Sequence, residues 1–199
     1  MAVSKFHPVS AIMEAYAEGQ RVFGENRPQE FAAKAVQLPQ DIEWHFLGHL
    51  QTNKLKLVLP YASMVESVDS FHLLDAINVW ALERQKKIKV LLEVHIGAEE
   101  TKQGFTPNEV VNILPAAHLW PGVVFCGLMG MASHTDDEER IRADFEHIRN
   151  LFNSCRKTFT FLTDFRELSI GMSDDWRIAV EYGSTIVRIG TAIFGRREY

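Results

Sequence analysis

The sequence predicts a (β/α)8 barrel, in which eight parallel strands alternate with helices. Short apolar, β-branched or aromatic segments alternate with longer amphipathic segments from one end of the chain to the other, which is typical of repeated βα units. The chain has 199 residues, of which 46% are apolar and 24% charged, so it can bury one substantial core. No linker or low-complexity tract divides it. We therefore expect residues 1–199 to form one domain, with an open doubly wound sheet as the competing topology.

Eight segments have the composition of strands in a buried parallel sheet. In chain order they are Ala2–Ser4, Arg21–Gly24, Trp44–Gly48, Met64–Ser67, Lys89–Ile96, Val123–Met131, Arg166–Ile170 and Thr185–Ile189. Each is followed by a helix candidate or by a loop that could open one. Active sites of such barrels lie at the C-terminal ends of the strands, so the residues that follow these segments are the candidates for a site.

The helix candidates have recognisable starts and periods. Asp69 or Ser70 could cap a helix over Phe71–Lys86, and a Thr-Pro pair precedes a helix over Asn108–Ala117. The longest candidate, Asp136–Lys157, carries apolar residues at helical spacing, which indicates one face packed against the core.

Charge and composition argue against several classes of function. The net charge of −5 provides no basic field, so we expect no nucleic-acid partner. No apolar run approaches the roughly 20 residues needed to cross a bilayer, and the first residues lack the apolar region of a signal peptide. The chain has only two cysteines, Cys126 in a predicted strand and Cys155 on a predicted helix face, and its histidines lack the spacing of metal ligands. We therefore expect no metal site. We expect a cytoplasmic protein that does not bind membranes.

Lys5 is the first candidate functional residue, because it follows the first predicted strand and is thereby directed to the C-terminal face of the barrel. A lysine among apolar walls loses its proton more easily, and its neutral amine can then condense with an aldehyde. Taken alone, a lysine at a strand end is more often exposed or ion-paired. The case for Lys5 therefore depends on its neighbours.

Two segments near the end of the chain have the residues of a phosphate site. Gly190 and Thr191 follow the eighth strand, where backbone amides and a hydroxyl converge. Ser169 and Ser173 lie on either side of a glycine at the end of the seventh strand. Barrels frequently bind phosphate between these two loops, although either segment alone fits turn and capping residues equally well.

Arg188 lies two residues before Gly190 on the same strand, where a permanent cation needs an acceptor. The acceptor could be a carboxylate or, as the sharper alternative, a pyridine nitrogen. A guanidinium does not give up its proton, so an arginine beside a pyridine ring would leave the ring nitrogen unprotonated and weaken the ring as an electron sink.

Six segments together resemble the pyridoxal phosphate homeostasis proteins, relatives of the barrel domain of bacterial alanine racemase. The segments are Ala2–Lys5, Phe23–Arg27, Trp44–Lys54, Gly127–Ala132, Leu168–Asp175 and Val187–Gly195. They span practically the whole chain in order, which is far more specific than a lone glycine motif. The resemblance implies a barrel like the alanine racemase N-terminal domain and pyridoxal 5′-phosphate as the cofactor.

The resemblance also implies roles for individual residues. Lys5 would hold the cofactor as a Schiff base, and Arg188 would face its pyridine nitrogen. The phosphate would be held by Ser169, Gly190 and Thr191, with Ser173 as a further candidate. Asn26 and His49 would line the pocket after strands two and three. Alternatively, Asn26 only shapes its loop and His49 only satisfies a helix end.

Two departures from related proteins shape the functional prediction. Family members usually carry a helix of roughly two dozen residues before the lysine strand, whereas Met1 lies almost directly at that strand. We expect a monomer of lowered stability, or weak self-association through the uncovered apolar surface. Racemases add a β domain and use a tyrosine of the partner subunit as second acid/base, whereas this chain ends at Tyr199 after the eighth unit. We expect little or no racemase activity.

These observations predict a non-catalytic protein that takes up pyridoxal phosphate on Lys5, limits the free aldehyde, and passes the cofactor to apo-enzymes or supports amino- and keto-acid balance. A small racemase or lyase that uses Lys5 as its base is the alternative. A barrel-shaped interaction protein with a vestigial pocket is the third possibility.

Overall fold

Eight parallel strands form one sheet in chain order in the computed structural model, which describes residues 1–97 and 103–195. The strands are β1 (Ala2–Val3), β2 (Val22–Glu25), β3 (Glu43–Phe46), β4 (Ala62–Val68), β5 (Ile88–Val94), β6 (Val123–Gly130), β7 (Glu167–Met172) and β8 (Ile186–Arg188). β8 returns to β1 through a parallel bridge between Ala2 and Ile189. The amide of Val3 donates to Ile189 O (2.7 Å), and the amide of Ile189 donates to Met1 O (3.0 Å). The sheet thus closes into a barrel, which confirms the predicted (β/α)8 fold and excludes the open sheet.

The helices connect successive strands. They are α1 (Val9–Ala17), α2 (Pro28–Ala35), α3 (Leu55–Val58), α4 (Phe71–Glu83), α5 (Pro107–Ile113), α6 (Glu138–Thr158), α7 (Trp176–Glu181) and α8 (Thr191–Phe194). Short 3-10 turns at Thr52–Lys54 and Leu114–Leu119 precede α3 and follow α5. Ser70, and not Asp69, caps α4, because its hydroxyl accepts a hydrogen bond from the amide of Leu73 (3.3 Å).

Two predicted helices end earlier than the sequence indicated. α4 stops at Glu83 instead of Lys86, because Gln85 adopts a left-handed backbone conformation (φ +53°). The helix predicted over Asn108–Ala117 changes to a 3-10 turn after Ile113, where Pro115 has no amide hydrogen for the α-helical pattern.

The two faces of each strand pack differently, as β5 illustrates. Leu92 belongs to the large core cluster that includes the helices, whereas Leu91 belongs to a small cluster with Met64, Cys126 and Met129 of neighbouring strands. Because successive side chains of a strand point to opposite faces, the small cluster fills the barrel interior. Interior residues that follow this cluster along the strands lie closer to the C-terminal face, where the site is expected.

Gly127 marks a close approach of β6 to β7. Its φ is +154°, and a Cβ at this position would lie 1.7 Å from Glu167 O. The register between β5 and β6 shifts at the same level, between Val90 and Leu91. A glycine is therefore required to accommodate this irregularity.

Both cysteines are buried, and burial raises the pKa of each thiol to about 11. Cys155, interpreted above as a helix-face residue, packs in the core on the inner side of α6. Among residues 1–97 and 103–195, no three histidine, cysteine or acidic side chains are grouped as metal ligands. No helix within these ranges has both the length and the apolar character that crossing a bilayer requires.

Candidate functional site

A cavity of about 400 Å³ opens among the C-terminal ends of β1, β2, β3, β6, β7 and β8. This volume is typical of small-molecule sites. Six of the eight residues predicted from the sequence line it: Lys5, Asn26, Ser173, Arg188, Gly190 and Thr191. Ser169 and His49 do not line it. The rule that relates strand ends to the site therefore located the cavity.

Lys5 lies at the cavity because it follows β1, which pairs with β2 on one side and is bridged to Ile189 after β8 on the other. Ala2 pairs with Phe23 of β2, and the amide of Ser4 donates to Gly24 O (3.0 Å). Val3 lines the cavity, whereas the Ser4 side chain points away from it toward Glu25. The alternation along an extended strand then brings Lys5 to the same inner face as Val3.

Ser173 joins the loops after β7 and β8. Its Oγ accepts a hydrogen bond from the amide of Gly190 (3.3 Å), and Thr191 begins α8 next to that amide. The hydroxyl proton of Ser173 is not used in this bond and can be donated to an acceptor in the cavity. The geometry therefore favours Ser173, the more doubtful of the two predicted serines, over Ser169 as a wall residue.

Arg188 is buried and fixed in position. Its Nη1 donates to both Ser169 O and Ser169 Oγ (2.8 Å each), and its Nη2 donates to Gly130 O (2.9 Å). No carboxylate in the described part of the chain forms an ion pair with it, so the carboxylate alternative finds no support in the contacts. Burial lowers the pKa of the guanidinium, and the negative charge of Glu66 opposes this effect.

A buried polar chain lies next to Arg188 inside the barrel. Ser169 Oγ donates to Glu66 Oε2 (2.5 Å), and Glu66 Oε1 pairs with His45 Nδ1 at 2.6 Å. All three residues are buried. Ser169 thus supports Arg188 instead of facing the cavity. Sequence reasoning missed Glu66 and His45, although polar residues at interior positions of two neighbouring strands were a usable signal.

Glu93 is a second buried carboxyl group that the sequence analysis missed. It lies two residues beyond Leu91 on the interior face of β5 and is 7% exposed. Burial raises its pKa to about 7; the charge of Asp69 adds to the rise, and Arg188 and His49 oppose it. His49 is half exposed and pairs with Asp69 (Nδ1 to Oδ2, 3.0 Å), which accounts for the side chain without a ligand.

Asn26 presents an unsatisfied acceptor at the cavity. Its Oδ1 is buried and has no hydrogen-bond partner among the described residues. Such an atom normally receives a hydrogen bond from water or a ligand. The loop after β3 packs closely here, because a Cβ on Gly48 would lie 2.0 Å from Asn26 O. The site therefore has an acceptor available for a ligand donor.

Comparisons with known proteins agree over the whole chain. The sequence profile described as "Alanine racemase, N-terminal domain" matches residues 1–198. The human pyridoxal phosphate homeostasis protein is 40% identical over an alignment of 211 residues, gaps included, which covers 100% of this chain and 76% of that protein. The Aquifex aeolicus protein of the same name is 38% identical over 200 residues, covering 100% of this chain and 87% of the relative.

Solved structures give the same result. PipY of Synechococcus elongatus PCC7942, determined with pyridoxal phosphate bound, superimposes with a TM-score of 0.88 at 37% identity over 98% of this chain and 91% of PipY. Alanine racemase from Corynebacterium glutamicum shares the fold, with a TM-score of 0.74 at 16% identity over 100% of this chain and 56% of the racemase. The chain belongs to the pyridoxal phosphate homeostasis protein family and has the fold of the alanine racemase N-terminal domain.

Proposed function

We propose that this protein binds pyridoxal 5′-phosphate through a Schiff base on Lys5 and carries the cofactor without catalysing its usual reactions. The observation that supports this proposal is the convergence of three groups in one cavity: a primary amine, a buried guanidinium, and a hydroxyl beside backbone amides. These groups complement the aldehyde, the pyridine nitrogen and the phosphate of pyridoxal phosphate. The family relationship supports the same cofactor.

The residues fit this group by their donor and acceptor chemistry. The Lys5 amine adds to the aldehyde carbon, and the carbonyl oxygen leaves as water with the two amine hydrogens. Ser173, Gly190 and Thr191 supply a hydroxyl-and-amide cradle for the phosphate. Asn26 Oδ1, which has no hydrogen-bond partner in the described part of the chain, accepts a hydrogen bond from the ring hydroxyl.

Arg188 favours carriage over catalysis. When bound, the cofactor supplies an electron sink that is strongest with a protonated ring nitrogen. Arg188 is held by three hydrogen bonds, and its guanidinium donates protons without releasing them. It therefore leaves the ring nitrogen unprotonated, which suits storage of the aldehyde better than carbanion chemistry.

Several finer features remain predictions from the sequence. They are one domain over residues 1–199, a monomeric state with weak self-association, a cytoplasmic location, and transfer of the cofactor to apo-enzymes. The racemase or lyase alternative is tested directly by the second experiment below.

The first experiment adds pyridoxal phosphate to the wild type, records the visible absorbance, reduces with borohydride and locates the pyridoxyl group by peptide mass. We expect a visible band and mass on Lys5, loss of both in Lys5→Met, and no change in the control Lys56→Met, whose side chain is exposed. A band that survives in Lys5→Met would contradict the proposal.

The second experiment incubates the loaded protein with single-enantiomer amino acids and follows chirality. We expect no conversion beyond a stoichiometric amount. Sustained racemisation with many turnovers per site would replace the carrier with an enzyme that uses Lys5 as base.

A further inference from the structure

Directly behind Lys5, on the outer face of β1 and β2, lies a group of polar side chains that does not line the cavity. We call Ser4, Glu25, Glu30 and Lys34 the Lys34 network. The side chain of Glu25 is 0% exposed, that of Lys34 7% and that of Glu30 22%. Glu25 ends β2, and the other two charged residues belong to α2. The network therefore connects α2 to the strand that carries Lys5.

The ammonium of Lys34 lies at the centre of the network. Its Nζ donates to Glu25 Oε1 (2.6 Å), Glu30 Oε1 (2.7 Å) and the backbone oxygen of Ser4 (2.8 Å). An ammonium has three hydrogens, so these three acceptors satisfy it fully. Burial raises the pKa of Glu25, and the hydrogen bonds from Lys34 and from the Ser4 hydroxyl (2.7 Å) oppose that rise.

The network holds both peptide groups that flank Lys5. The carbonyl of Ser4, in the peptide before Lys5, accepts from Lys34. The amide of Phe6, in the peptide after Lys5, donates to Glu30 Oε1 (2.7 Å). Phe6 has a φ of +68°, in the left-handed region that aromatic residues rarely adopt. Such a conformation persists where surrounding contacts fix the backbone on both sides.

We infer that Glu30 and Lys34 are positioning residues for Lys5, which fix its backbone and thereby the approach of its amine to an aldehyde in the cavity. This inference rests on the proposed function. Replacing a buried ion pair with apolar residues is often neutral for stability, so a purely stabilising role explains the arrangement poorly. A reacting amine, in contrast, is sensitive to position, since a misplacement of about 1 Å can lower a rate by on the order of 100-fold.

The test separates covalent attachment from occupation of the cavity. The variants are Lys34→Met and Glu30→Gln, and the control is Glu138→Gln, which removes another i,i+4 ion pair (Glu138 to Arg142, 2.7 Å) on α6. One measurement is the rate at which pyridoxal phosphate becomes attached to Lys5, by borohydride quenching and mass. The other is the affinity for pyridoxine 5′-phosphate, whose alcohol replaces the aldehyde and forms no bond to lysine.

We expect the attachment rate to fall at least about tenfold in Lys34→Met and less in Glu30→Gln, while the affinity for pyridoxine phosphate stays within about twofold in both. Glu138→Gln should match the wild type in both measurements. An unchanged rate in Lys34→Met would overturn the inference. So would an equal loss of rate and affinity, because that pattern reports general damage to the fold.

Lys34→Met leaves Glu25 buried without its cation, so circular dichroism must show that the variant is folded. If it is not, the double variant Glu25→Gln/Lys34→Met, which removes both buried charges together, takes its place with the same expected result. A wild type that never becomes modified on Lys5 would refute the proposed function. A normally modified wild type with unaffected variants would refute only the inference drawn from the Lys34 network.

Discussion

Replacing Glu93 with glutamine should stabilise the protein, and the gain should grow as the pH rises. Glu93 is 7% exposed, and burial raises its pKa to about 7 from an ordinary value of 4.5. The carboxyl group is therefore protonated in the folded protein at pH values where it is ionised in the unfolded chain. The stability that this group contributes is fully present below about pH 4.5 and is lost as the pH rises to about 7.

The size of the effect follows from the two pKa values. A rise from 4.5 to about 7 corresponds to roughly 3 kcal/mol of unfolding free energy at pH 8. At pH 5 most of the penalty has not yet developed, and the difference is about 1 kcal/mol. A glutamine keeps the shape of the side chain and never ionises. Glu93→Gln should therefore exceed the wild type in stability by about 1 kcal/mol at pH 5 and about 3 kcal/mol at pH 8.

Urea denaturation of the unloaded protein at pH 5, 6.5 and 8 measures these differences. Glu146→Gln, at an exposed position of α6, is the control and should differ little from the wild type at any of the three values. The comparison of variant with wild type cancels the titration of the groups that do not interact with Glu93. A stability difference for Glu93→Gln that does not change with pH would refute the reasoning.

Three further substitutions test the packing and the cradle. Ser169→Ala removes the hydroxyl that donates to Glu66 and accepts from Arg188. Urea denaturation should show that the free energy of unfolding falls by about 1–3 kcal/mol. A loss near zero would mean that these buried hydrogen bonds do not stabilise the protein. Gly127→Ala places a Cβ 1.7 Å from a backbone oxygen and should lower the free energy of unfolding by at least about 3 kcal/mol. The control Gly19→Ala, at a positive φ but in open space, should lower it by only about 1 kcal/mol. Similar losses in both variants would contradict the steric argument. Ser173→Ala should weaken pyridoxine 5′-phosphate binding about tenfold in a titration and leave unphosphorylated pyridoxine unaffected; equal weakening of both would remove Ser173 from the phosphate cradle.

The strands were predictable because their composition depends on burial on both faces, which the sequence records directly. All eight predicted strands are present, and the ends of each are displaced by two residues or fewer. The ends of helices depend on single backbone conformations, such as that of Gln85, which composition does not reveal.

Residues that line the cavity at the strand ends could be predicted from the positions of the strands, whereas the contacts of the polar residues inside the barrel could not. Glu66 and Glu93 lie within strands, and their direction depends on register shifts between β3 and β4 and between β4 and β5. A shift also occurs between β7 and β8, between Ser169 and Met172, and it is Ser173 that reaches the cavity. Ser169 lies deeper in the barrel, where its hydroxyl contacts Glu66 and Arg188, whereas Ser173 lies at the strand end beside Gly190. Composition does not reveal this difference in depth, so the sequence could not decide between the two serines.

The seam of the barrel, where the two-residue β1 meets β8 through one bridge, has a mechanical consequence. Lys5 lies on one side of this seam, and Gly190 and Thr191 lie on the other. A ligand that is bonded to the lysine and held by its phosphate would connect β1 to the segment that follows β8. Binding should therefore slow hydrogen exchange most at the amides of Val3 and Ile189, which form the closing hydrogen bonds. The loaded protein should therefore differ from the empty one in how often the hydrogen bonds between β1 and Ile189 open.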